Sequence, residues 1–173
     1  GLILMLPVSS ADGSWTKPID ALFTATTSIC VTGLVTVTTA VHWSFFGQLV
    51  IMILAQLGGL GVITAAMCIM LLLRKKITLK DRMLIQETYN MDTLSGLVRL
   101  VIKIVKGTFL VEGIGALLYC IVLIPEFGFW PGLWKSVFNA VSAFCNAGMD
   151  VIGSDSLRAY AGNPLMNITT MML

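Results

Sequence analysis

From Ala21 to Leu73 the chain runs for 53 residues without a Lys, Arg, Asp or Glu. A bilayer is the natural solvent for such a run, and there every backbone group must be satisfied within the protein. Yet its first part reads "TTSICVTGLV", residues 26–35, dense in Thr, Ser and Gly. These residues compete with a helical backbone or loosen it. The chain must therefore bury small polar residues and a glycine where hydrocarbon is expected.

Composition agrees with a membrane setting. Hydrophobic residues make up 57% of the 173, charged residues 12%, and the mean hydropathy is +0.90. These values lie outside the soluble globular range. A formal net charge of +2 does not suggest nucleic acid. The chain starts with Gly and stops within "NPLMNITTMML", so it is read as a piece of a longer protein. "GLILMLP" is too short for a signal peptide and has no basic n-region. It is expected to be the end of a span already under way.

The charges divide the rest. Eight of eleven Lys and Arg fall between Arg74 and Lys106, with only Asp81, Glu87 and Asp92 among them. The positive-inside rule makes residues 74–96 a cytoplasmic linker. Phe45 to Leu73 is an inward span of 29 residues, about 43 Å as a helix against a hydrocarbon core of about 30 Å. His42 and Trp43 stand at its outer end, where an interfacial aromatic is expected. Gly58, Gly59, Gly61, Ala65 and Ala66 within it predict close helix packing. They do not form a phosphate loop, since neither the preceding strand nor the following Lys-Ser/Thr is there. A return span runs from about Leu97 to Ile124 and is expected to end at Pro125. Glu112 inside it is a candidate structural or functional intramembrane acid.

An internal repeat organises the chain. "LFTATTSICVTGL" laid on "VFNAVSAFCNAGM" with a shift of 115 pairs Phe23 with Phe138, Ala25 with Ala140, Cys30 with Cys145 and Gly33 with Gly148. Small or hydroxylated residues match between them, as at Thr27 and Ser142. Asp20 to about Ile29 and Lys135 to about Phe144 predict helices of about ten residues, too short to span. Each leads into a short extended segment ending at a glycine, "CVTG" and "CNAG". Non-helical backbone at membrane depth is permitted where it is buried in protein or lines a watery cavity. The expected fold class is therefore an all-α membrane protein of repeated span–pore loop–span units, with re-entrant half-helices and extended selectivity-filter strands. Residues 1–73 form the first repeat and 97–173 the second.

This reading assigns a chemistry. A short helix directs the partial negative charge of its C-terminal end at mid-membrane, and carbonyls beyond it replace the hydration shell of a cation. The candidate filters are Cys30, Val31, Thr32 and Gly33, and Cys145, Asn146, Ala147 and Gly148. Neither holds a carboxylate, so carbonyl dipoles do the selecting. The four cysteines, Cys30, Cys68, Cys120 and Cys145, show no C-x-x-C spacing, and His42 is the only histidine, which argues against a transition-metal site. No nucleophile with its base and no membrane aspartate pair supports an enzyme. Asn167-Ile168-Thr169 matches a glycosylation sequon but lies in an expected membrane helix.

The segments "FTATTSICVTGL", "WSFFGQLVIMILAQLGGLGVIT" and "FNAVSAFCNAGMD" resemble the Trk/Ktr/HKT potassium-transporter superfamily, and in particular the translocating subunit of bacterial Ktr-type uptake systems. The resemblance covers essentially the whole chain. It implies four such repeats around one pore, of which this chain carries two, with Gly33 and Gly148 at the first and second filter glycines. It further implies potassium uptake across the bacterial cytoplasmic membrane, with sodium stimulation in some members. A homodimer of translocating subunits on a cytosolic nucleotide-binding regulatory ring is implied as well; the chain itself would need no cofactor, and nucleotide would act only through that partner. Plant relatives that prefer sodium carry serine at the first filter glycine, so Gly33 points to potassium. A sodium-conducting member, a different broken-helix transporter and a subunit without transport remain the alternatives.

Overall fold

The computed structural model describes residues 1–61, 64, 83, 97–153 and 156–173. Two compact units are distinguished, Gly1–Gly59 with Val111–Leu173, and Leu60–Leu110. Of the second, the described residues are 60, 61, 64, 83 and the stretch from 97 on. The expected inner half of the first span, with Ala65, Ala66 and Cys68, lies outside the described residues. The basic linker 74–96 also does, apart from Met83.

The described residues are helical, with one isolated bridge between Ser10 and Trp43 and no strand. Among the described residues, seven α-helices have defined bounds: α1 (Leu2–Met5), α2 (Pro18–Ile29), α3 (Thr39–His42), α4 (Phe45–Gly59), α5 (Leu97–Phe127), α6 (Phe129–Phe144) and α7 (Pro164–Met172). Two 3-10 turns, Pro7–Ser9 and Ser156–Tyr160, complete the set. Each start has a local cause. Pro18 and Pro164 occupy first-turn positions, where a missing N–H costs nothing. Asp20 complements the positive end of α2. Ser44 Oγ accepts from the Gly47 amide at 3.2 Å, and Asn163 Oδ1 accepts from Leu165 and Met166 at 3.1 and 3.3 Å. Both satisfy donors that a helix start leaves open.

Residues Val101–Phe127 of α5 make a stretch of 27 residues whose most apolar 18-residue window has a mean hydropathy of 2.1, long and apolar enough to cross a membrane. Leu110, Ile114, Leu117 and Ile121 stand exposed on it. Their spacing of three and four places them on one stripe, the arrangement that lipid requires.

Three expectations change at the helix ends. Pro125 does not stop α5, which continues to Phe127. A proline in the last turn forfeits a single hydrogen bond, and the Gly128 amide still donates to Ile124 at 2.9 Å. Gly128, at φ +84°, breaks the chain instead. The next helix then begins at Phe129 rather than Lys135 and has 16 residues, about 24 Å and still short of a span. Gly132 allows that corner: a Cβ there would lie 2.7 Å from Ile124 Cα. The third change concerns Trp43. It is 1% exposed and packs in the core with Leu4, Ile51, Ala55 and Phe138. The ring faces protein because the Gly47 hydrogen lets the Ser9 backbone and the Trp43 side chain close in. Trp15 and Trp130, 68% and 76% exposed, have the exposure of interfacial residues.

The glycine pair of α4 positions the two short helices. A Cβ on Gly58 would sit 2.1 Å from the Ile29 carbonyl oxygen at the end of α2. On Gly59 it would lie 2.6 Å from Cys145 Cβ and Sγ, just past α6. Close packing at these two glycines is thus realised as contact with both helix ends. Gly113 on α5 has open space where a Cβ would go. Gly58→Val is therefore expected to destabilise the purified full-length protein by about 1–3 kcal/mol. Gly113→Ala should be neutral or stabilising by up to about 1 kcal/mol. Thermal unfolding in one detergent compares them, and equal effects would contradict the close approach.

Candidate functional site

Helix α2 ends in a left-handed cap. Cys30 is still right-handed (φ −85°, ψ 0°) and Val31 swings to φ +49°. The Cys30 amide donates to Thr26 at 2.8 Å, Val31 to Ser28 at 3.4 Å and Thr32 to Thr27 at 3.0 Å. The last two bonds make a Schellman motif. Helix α6 ends the same way, residue for residue at a shift of 115. Cys145 is right-handed (φ −73°, ψ −4°) and Asn146 lies at φ +59°. Cys145 donates to Val141 at 2.9 Å, Asn146 to Ala143 at 3.0 Å and Ala147 to Ser142 at 2.8 Å. Gly33 and Gly148 follow at φ +75° and +65°.

The segments expected to be extended are therefore turns for their first half. The reason is that each helix closes its own end before the chain leaves. A left-handed asparagine is ordinary, but a β-branched valine there is strained, by roughly 1–3 kcal/mol. Among the described residues, the carbonyls of residues 30–33 and 145–148 accept no hydrogen bond. Eight acceptors thus remain open in two short stretches.

The buried hydroxyls hold these turns. Thr27 Oγ1 meets Thr32 Oγ1 at 2.5 Å. At the matching position, Ser142 Oγ donates to the Met149 carbonyl and accepts from the Met149 amide at 2.9 Å. Ser28 donates to Thr24 O at 2.5 Å and faces Met149 Sδ at 3.8 Å, which ties α2 to the second turn.

The two turns meet. A Cβ on Gly33 would lie 2.7 Å from the Ala147 carbonyl oxygen, and one on Gly148 would lie 3.7 Å from Gly33 Cα. A cavity of about 290 Å³ opens beside them, lined by Gly33, Thr38, Thr39, Gly148 and Asp150 among others. Asp150 accepts from the Ile152 amide at 3.1 Å and from Ser156 Oγ. Lys135, on α6, donates to Ile152 O at 2.7 Å and lies 3.4 Å from the Phe127 ring centroid. It pins the segment that follows the second turn. Tyr160 donates to Glu126; burial, with that carboxylate beside it, pushes the phenol above its ordinary range, which keeps the O–H in place.

Behind the second turn sits Glu112, 4% exposed, and Cys145 Sγ points at Gln56 Oε1, 3.6 Å away. Cys145 is buried, whereas Cys30 is exposed and Cys120 half-buried. His42 accepts or donates at Thr16 Oγ1, 3.1 Å, and orders the loop before α2. Lys135 and Gln56 were not singled out from the sequence. The signal for Gln56 was available: it is one of only two amide side chains between Ala21 and Leu73.

These features define a class: a helical protein with a membrane-length helix and two short helices whose open carbonyl turns face each other. The description "TrkH: Cation transport protein" matches residues 3–173, and the chain belongs to that family. It is 46% identical over 163 residues to the potassium/sodium uptake protein NtpJ of Enterococcus hirae, covering 94% of this chain and 36% of that protein. It is 45% identical over 175 residues to the Ktr system potassium uptake protein B of Bacillus subtilis, covering 99% and 38%. The protein of that name from Vibrio alginolyticus is 36% identical over 168 residues, covering 97% and 36%. The chain thus spans less than two-fifths of the length of these relatives.

The strain at Val31 has a measurable counterpart. Val31→Asn copies the residue at the matching position and should raise stability by about 1 kcal/mol. Thermal unfolding of the full-length protein checks this, and a clear loss would contradict a left-handed Val31.

Proposed function

We propose that this chain forms two neighbouring sectors of a cation pore, and that the complete protein takes up potassium across the bacterial cytoplasmic membrane. The observation that carries this is the meeting of Gly33 with Ala147 and Gly148, which brings together two turns whose carbonyls are open. Carbonyl oxygens in such numbers replace a potassium ion's hydration shell. The C-terminal ends of α2 and α6 add partial negative charge at the same place. Residues 30–33 and 145–148 are the filter segments in this reading, and 1–73 and 97–173 are two span–loop–span repeats. A ring closed on four sides needs two further repeats, in keeping with relatives more than twice as long.

The names of the relatives support potassium as the substrate. "Ktr system" describes a multi-component transporter, which favours a cytosolic nucleotide-binding ring as regulator and a homodimer of translocating subunits as its platform. In this reading nucleotide binds the partner, residues 74–96 face the cytoplasm, and the chain has no catalytic role. The name "Potassium/sodium uptake protein" belongs to a relative 46% identical, and it favours sodium passage or stimulation as the second reading.

Uptake of rubidium and sodium by the full-length protein, in cells lacking their own potassium uptake, tests the proposal. A Cβ at Gly33 must displace the Ala147 carbonyl, so Gly33→Ser is expected to lower the preference for rubidium over sodium by about tenfold. Gly148→Asp, at a position with φ +65°, should abolish rubidium uptake while the protein still reaches the membrane. Unchanged preference in the first variant would remove Gly33 from the ion path.

A further inference from the structure

Glu112 lies in the apolar length of α5 with both carboxylate oxygens buried and without a hydrogen-bond partner. The basic residues of the same helix, Arg99, Lys103 and Lys106, are exposed. Gln56 of α4 is its polar neighbour, near enough to interact yet outside hydrogen-bonding geometry. The Gln56 Nε2 donor is also buried without a partner. Three of the six unpartnered buried side-chain atoms among the described residues therefore belong to this one pair.

Their chemistry is complementary in one protonation state only. An ionised carboxylate has acceptors alone, and its burial without a countercharge is heavily penalised. A neutral acid offers one O–H donor and one carbonyl acceptor, the mirror of a primary amide. The two groups are complementary in a two-bond ring: Glu112 O–H to Gln56 Oε1, and Gln56 Nε2–H to the Glu112 carbonyl. Gln56 Oε1 keeps a second lone pair for the Cys145 thiol, already 3.6 Å away. Gly59, three residues further along α4, lets Cys145 press against the same helix face.

We propose that Glu112 is held as a neutral acid and acts as a positioning residue, fixing Gln56 so that Gln56 and Gly59 together clamp Cys145 at the start of the second filter segment. The effect on ion preference rests on the pore reading above; the protonation state does not.

Two measurements on the full-length protein test it. The first is the infrared spectrum at neutral pH of wild type minus Glu112→Gln. A protonated carboxylic acid band, absent from the variant, is expected; carboxylate bands alone would overturn the proposal whatever the protein transports. The second is rubidium against sodium uptake in Glu112→Gln and Glu112→Leu at matched membrane levels. Glutamine keeps a donor and an acceptor without charge, so its preference should stay within about twofold of wild type. Leucine removes both, and the preference should fall about five- to tenfold. Glutamine as damaging as leucine, or leucine as good as wild type, overturns the clamp. A leucine variant that does not fold leaves the infrared result and the glutamine variant to decide.

Discussion

One helix end, the last turn of α4, holds both short helices by their ends. Gly58 of α4 admits the last carbonyl of α2, and Gly59 admits Cys145 after α6. Two adjacent hydrogen atoms thus set where two turns, 115 residues apart, begin. A side chain at either would force a helix end to shift, since a Cβ would stand 2.1 or 2.6 Å from its neighbour. Well-packed interiors transmit such shifts rather than absorb them. The meeting of Gly33 with Ala147 depends on that placement, and so does the proposed ion path.

The small polar residues of the uncharged run have a use consistent with this. Thr27, Ser28 and Ser142 do not face lipid; the hydroxyls of Thr27 and Ser142 bind the turns that follow their helices, and that of Ser28 bonds back to Thr24 within α2. Each is buried and bonded, the condition under which a polar group is tolerated inside a membrane protein. With amides and hydroxyls committed to the caps, the carbonyls of residues 30–33 and 145–148 are left over. The lack of charge there and the surplus of acceptors follow from one local design.

Much of this was legible because it is local. The shared F-x-A-x4-C-x2-G pattern placed the helix ends, and α2 and α6 do stop at Ile29 and Phe144. The apolar stretch between Leu97 and Ile124 marked the long helix. The misses share a cause: each depends on a neighbour distant in sequence or on one residue's conformation. Pro125 reads as a terminator, yet a proline in a last turn costs little, and Gly128 makes the break. Trp43 reads as interfacial, but Gly47 opens room for it inside. An extended segment after Cys30 overlooked the left-handed cap, because valine gives no warning of a positive φ. The contact of Gly33 with Ala147 and the closeness of Glu112 to Gln56 bring together residues far apart in the chain, and no periodicity encodes them.

The central claim is that the two capped turns jointly bind a cation, and the most direct measurement is the position of one. Crystals of the full-length protein grown with rubidium, with diffraction recorded at its absorption edge, locate the ion by anomalous scattering. The account predicts peaks within coordinating distance of the carbonyls of residues 30–33 and 145–148 together. Rubidium bound elsewhere in an ordered structure, with none at those carbonyls, would contradict it.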